Sequence, residues 1–139
     1  MEKELRIIVN QIRTPDGTVL RSMHRHDYVE YTDKNGLVYM VDGGTDYLRR
    51  NVHTDAPYEE LTIYDNAPFE IIRENYCRGG RGKNGDQPLT WVPISQMSDA
   101  WLAACIRYNE EREWGDGFSN KMYKKEQNYR ELHKIEIKE

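Results

Sequence analysis

At 139 residues with a net charge of −4, the chain is long enough for one hydrophobic core, and its overall charge repels a phosphate backbone, which argues against general nucleic-acid binding. Hydrophobic residues supply only 37% of it and charged residues 32%, so the core must be economical, and no stretch is long and apolar enough to be a membrane span. Two cysteines, Cys77 and Cys105, are too few for a ribbon-type zinc site and do not suggest a disulfide scaffold; they read as buried thiols on apolar helix faces.

The first ten residues, MEKELRIIVN, hold neither a long apolar run nor a small-residue cleavage site, so the expected location is the cytoplasm, the host's if a phage encodes the protein. Leu5 to Ile12 is an apolar, β-branched run closed by Thr14-Pro15-Asp16-Gly17, the composition of a strand and a tight turn. Thr18 to Ser22 continues as a second strand. Tyr28 to Thr32 and Leu37 to Val41 flank Asp33-Lys34-Asn35-Gly36, whose Asn-Gly supplies the positive dihedrals of a hairpin turn. An antiparallel meander of three to four strands is expected, covered on one face by helix.

Thr45 to Arg50 reads as a turn or short extra strand, and Asn51 to Glu60 as an irregular connection. Asp65 or Asn66 can cap a helix with an early Pro68 and an apolar face of Phe69, Ile72 and Tyr76, stopping at Gly79-Gly80. Gly79 to Gln87 holds four glycines and is expected to be a loop. Leu89 to Val92 is a short strand. Ser98 caps a helix over Asp99 to Arg112, with Trp101, Leu102, Cys105, Ile106 and Tyr108 as its apolar stripe. A charged helix over Asn120 to Lys134 has Phe118, Met122, Tyr129 and Leu132 or His133 as its weak apolar side, and the final IEIKE is either frayed or an edge strand. The fold class is therefore α+β, one domain in which a β-meander over residues 1–50 packs against two or three helices. Two subdomains sharing that core are the alternative.

Chemistry concentrates between His24 and Arg50. On extended backbone His24 and His26 would face one side, and with Asp42 and Asp46 they could hold a divalent metal; otherwise they are structural, hydrogen-bonded histidines. Gly43-Gly44, before Asp46 and Tyr47, lets backbone come close to either a ligand or a neighbouring strand, or makes a tight turn in which Asp42 bonds its own backbone. Arg49 and Arg50 suit two-point contact with carboxylate or phosphate, or else pair with Asp27, Asp42 or Asp46. Further on, Arg78, Arg81 and Lys83 lie in the most basic short segment, a mobile loop able to close on an anion or a solvated connector. Gly80-x-Gly82-x-x-Gly85 spells the dinucleotide fingerprint but lacks its context, a strand before and a helix after. Trp91, Trp101 and Trp114 belong to the core or form a stacking platform. No Ser, Cys or Thr nucleophile pairs with a histidine on the sequence, so covalent catalysis has no support.

Over His24 to Arg50 the sequence resembles small bacterial and phage proteins of unassigned function with the pattern His-Arg-His-Asp-(Phe or Tyr), a hairpin, then Val-Asp-Gly-Gly-x-Asp-Tyr-x-Arg-Arg. Arg78 to Leu102 is similar to a region of the same group. Some of its members carry cysteine pairs in the two turns, in the manner of a zinc ribbon. Here Pro15-Asp16-Gly17 and Asp33 to Gly36 occupy those positions without cysteine, which implies that turn chemistry and packing replace a metal. The resemblance implies a phage-type protein and transfers no catalytic residue.

The reading that follows leans away from an enzyme, with no cofactor expected. It favours a binding protein for a small phosphorylated or nucleotide-like ligand, gripped by Arg49, Arg50, Arg78, Arg81 and Lys83, with His24, His26, Asp42, Asp46, Tyr47 and Trp91 around it. By analogy with phage counter-defence proteins, such a protein could sequester a host defence signal. The alternatives are a metal-dependent hydrolase or nuclease built on His24 and His26, and a modulator that binds a host enzyme. Homo-oligomerisation is left open.

Overall fold

A computed structural model describes residues 5–51, 57–82 and 84–138. The architecture is α+β, with antiparallel strands first and helices after, and the chain divides into two compact units, Met1–Tyr76 and Cys77–Glu139. Among the described residues no helix is long and apolar enough to cross a membrane.

The first unit is built on strand β1 (Ile7–Arg13), which pairs antiparallel with β2 (Val19–Ser22) on one side and with β6 (Glu59–Glu60) and β7 (Ile63–Tyr64) on the other. Residues 8–12 are all buried, so β1 is covered on both faces, which explains why it lacks the alternation of a half-solvated strand. A second sheet runs β3 (Val29–Thr32), β4 (Val38–Asp42), β5 (Arg49–Arg50). The expected single meander is thus two sheets, and part of the expected irregular connection at Asn51 to Glu60 is strand; residues 52–56 lie outside the described residues. In β3 and β4 the paired Val29 and Val41, and Tyr31 and Tyr39, share one face. That face joins Ile12 and Leu20 in a common core, with Tyr58 packed against it.

The two cysteine-free hairpin turns meet through one carboxylate. Asp16 accepts from the Thr14 hydroxyl and the Thr18 amide (3.1 Å) within its own turn, and from the Tyr31 hydroxyl (2.6 Å) and the Lys34 amide (3.3 Å) of the other hairpin. These donors, Thr14 foremost and then Tyr31, hold its carboxyl well below the usual carboxylate range. A depressed folded-state value means that the stabilisation is complete above the unfolded value of about 4 and is lost as pH falls below it. Asp16→Asn is therefore expected to lower the urea midpoint at pH 7, and the gap to the parent protein should narrow at pH 3; a gap of the same size at both values would contradict this.

Helix α1 (Phe69–Asn75) has no side-chain cap, contrary to the expectation at Asp65 or Asn66, because Asp65 is engaged with the first strand's entry: its carboxylate accepts from the Arg6 amide (3.1 Å) and its own amide donates to the Arg6 carbonyl (2.9 Å). The helix also stops sooner than expected, at Asn75.

In the second unit Cys77–Gly80 is not helix and loop but strand β8, paired with β9 (Thr90–Pro93), so Cys77 does not sit on a helix face. A 3-10 turn (Ile94–Gln96) leads to α2 (Asp99–Glu111), capped as expected by Ser98, whose hydroxyl accepts from the Trp101 amide (3.1 Å). Leu102, Cys105 and Ile106 are buried, but Tyr108 is exposed under the Arg112 guanidinium (3.5 Å) and Asn109 is buried in its place. Helix α3 (Phe118–His133) buries Asn120, Met122, Tyr123, Glu126 and Arg130, whereas Leu132, expected on its apolar side, is 80% exposed. Beyond it, residues 135–138 form neither strand nor frayed end: Ile137 exchanges two hydrogen bonds with Asp99, amide to carbonyl (2.9 Å) and amide to carboxylate (3.2 Å).

Candidate functional site

The His24 to Arg50 segment is a knot of internal hydrogen bonds. His24 to His26 form a turn, closed by the Asp27 amide on the His24 carbonyl (2.9 Å), so the shared-face geometry expected of an extended His-x-His is absent. Both imidazoles belong to exposed residues. The Ser22 hydroxyl ties this turn to the next, donating to the Asp27 carbonyl (2.6 Å) and accepting from the Gly44 amide (2.9 Å). Gly44 has φ +53°, and a Cβ there would lie 2.3 Å from the His24 carbonyl carbon, so the close backbone approach permitted by Gly43-Gly44 is to the chain itself.

Asn10, reaching over from β1, donates its Nδ2 to the carbonyls of Asp42 (3.0 Å), Gly44 (2.9 Å) and Tyr47 (3.2 Å). It was not singled out in the sequence, because a polar residue in an apolar strand carries no mark of the turn it fastens. The Asp42 carboxylate accepts from the Gly43 amide (2.9 Å) and stands 3.6 Å from Arg49, its neighbour across β4 and β5. Arg50 forks onto Glu60 (2.9 and 3.3 Å) and donates to Thr62 (2.8 Å). Burial works to raise the Glu60 carboxyl, yet Arg50 and Thr62 outweigh it and leave it lowered. Arg25 lies 3.8 Å from Asp46, an exposed pair of little energetic weight. Among the described residues no three His, Cys, Asp or Glu side chains gather where they could hold a metal ion.

The second unit holds a different arrangement. Directly paired residues of antiparallel strands share a face, so Arg78 and Val92, with Gly80 and Thr90, point one way, and Gly79 and Trp91 the other. The first face forms a wall of a cavity of about 700 Å³, within the size range of small-molecule sites. Arg81, just past the strand end, continues that wall. Ser98, Ala100, Trp101 and Ala104 of the α2 start form another, and Ile137 and Lys138 a third. The Trp101 ring lies against Gly80, where a Cβ would come within 3.1 Å of it. Comparison with family models, curated proteins and solved structures found no match.

Of the residues expected to bind a ligand, the structure brings Arg78 and Arg81 together. Trp91 faces away from the cavity, and the aromatic ring on its wall is Trp101. Lys83 lies outside the described residues. Arg78 is half-buried and donates to the Tyr123 hydroxyl (3.3 Å). Among the described residues neither Arg78 nor Arg81 has a carboxylate partner, and none on the lining is a carboxylate, imidazole or thiol. Burial pushes the nearby Cys105 thiol up, with Arg78 acting against it, so that thiol is not poised as a nucleophile. The glycine loop has a strand before it as a dinucleotide fingerprint requires, but β9 rather than a helix follows, so that motif still fails on context.

Proposed function

We propose that this protein is a binding module whose second unit takes up a small phosphorylated or nucleotide-like molecule, with Arg78 and Arg81 on the anionic group and Trp101 against a flat one. One observation carries the reading: Arg78 and Arg81 line one cavity wall with no carboxylate partner among the described residues, while Arg25, Arg49 and Arg50 each have one. Guanidinium groups bind phosphate through paired, charge-assisted hydrogen bonds. Among the described lining residues there is no carboxylate, imidazole or thiol, which favours holding over turnover. On the resemblance to phage proteins, the proposed role is sequestration of a host signalling molecule.

Thermal denaturation of the full chain against a panel of phosphate, pyrophosphate and nucleoside mono-, di- and triphosphates tests it. At least one should raise Tm in a saturable way, by the equivalent of about 2.7 kcal/mol at a hundredfold excess over Kd. Arg81→Ala, an exposed change, should weaken that ligand by roughly 10–100-fold, the worth of a charged hydrogen bond. Arg49→Ala should leave it unchanged. No shift with any member of the panel would overturn the proposal.

A further inference from the structure

We infer that the anion taken up by this cavity is a chain of two or more phosphates rather than a single one, because a third cation, Lys138, lines the same cavity. This rests on the binding reading above and narrows it.

Residues 135–138 have no regular secondary structure, yet their course is fixed. Lys134 adopts the left-handed conformation (φ 55°, ψ 47°), which reverses the chain at the end of α3. The Ile135 amide then donates to the Arg130 carbonyl (2.9 Å), and Asp99 holds both backbone groups of Ile137. The other Asp99 oxygen is locked by Arg130 (2.7 Å), itself held by Glu126 (2.7 Å) and the Ile94 carbonyl (2.8 Å). Asp99 is thus a positioning residue: it spends its charge on Arg130 and its geometry on the segment that delivers Lys138 to the cavity.

Among the described residues the Lys138 ammonium pairs with Glu136 at 3.7 Å, and both side chains are largely exposed. Such a pair is worth little and yields to a better-placed anion. Two arginines match the charge of one phosphate group, and among the described lining residues there is no carboxylate to cancel a third positive charge. A diphosphate or triphosphate, with its extra negative charge displaced along the ligand, uses all three.

Isothermal titration of the full chain with inorganic phosphate and with pyrophosphate, at one ionic strength, decides the point. Pyrophosphate should bind about tenfold or more tightly than phosphate. Lys138→Ala should remove most of that preference by weakening pyrophosphate alone, while Arg81→Ala weakens both. If Lys138→Ala leaves the preference intact, or weakens both anions equally, the inference is wrong and the two-arginine site stands. If neither anion binds in a manner sensitive to Arg81, the site itself is wrong, and the inference falls with it.

Discussion

Arg130→Ala is expected to cost about 3–5 kcal/mol, the penalty for removing one partner of a buried ion pair, and to lower Tm by on the order of 10 °C. The Arg130 side chain is 4% exposed and that of Glu126 0%, so truncation takes the arginine away from a carboxylate in the interior. It also releases the Ile94 carbonyl and Asp99, and through Asp99 the residue 135–138 segment. The buried charge should dominate this loss, since the Asp99 side chain is 45% exposed and can be resolvated. A double variant separates the two contributions: Arg130→Met with Glu126→Leu should recover much of the stability, because both members of the buried ion pair are then replaced by apolar side chains. Urea denaturation of the single and double variants checks this. A double variant no more stable than Arg130→Ala would contradict it.

Asn10→Ala is expected to cost roughly 2–3 kcal/mol, through three carbonyls that lose their shared donor. Each stranded acceptor alone could account for about 1–3 kcal/mol, but the sum is smaller. Asn10 Oδ1 is itself buried without a partner, and the truncation removes that cost as it creates the others. Asn10→Asp should be worse than alanine at neutral pH, since it turns a carboxylate toward three carbonyl oxygens. The loss should be visible as faster amide exchange at Gly43 to Tyr47, the turn that Asn10 fastens. Equal exchange in parent and variant would show that the turn holds itself.

Much of the fold was legible because local chemistry and global structure agree. Gly17 and Gly36 take positive φ (92° and 81°) in the two turns that Pro-Asp-Gly and Asn-Gly announced, and Ser98 caps the helix it was expected to cap. The misreadings share a cause, which is polarity or glycine used inside the structure. Helix α3 buries Asn120, Glu126 and Arg130 because Asn120 meets Asn109, Glu126 pairs with Arg130, and Arg130 also reaches Asp99 and the Ile94 carbonyl; apolar periodicity passes over such a face. Gly79 and Gly80 belong to a strand because tryptophan rings occupy the space their side chains would need, Trp91 beside one and Trp101 beside the other.

The candidate site was half legible. A basic, glycine-rich run marks Arg78 and Arg81, but two other residues of the cavity lining, Trp101 and Lys138, come from distant parts of the sequence. The twin arginines at 49 and 50 looked equally suited to an anion. Only three-dimensional pairing distinguishes them, since Asp42 reaches Arg49 across a strand pair and Glu60 lies ten residues beyond Arg50.

The most direct measurement is an NMR titration that follows the arginine side-chain Nε–H signals as pyrophosphate is added. Arg78 and Arg81 should move together along one saturating curve, with Arg49 and Arg50 unmoved. Signals that drift in proportion to added salt across every arginine, or that saturate at Arg49 and Arg50 instead, would contradict a shared anion site on the β8 wall.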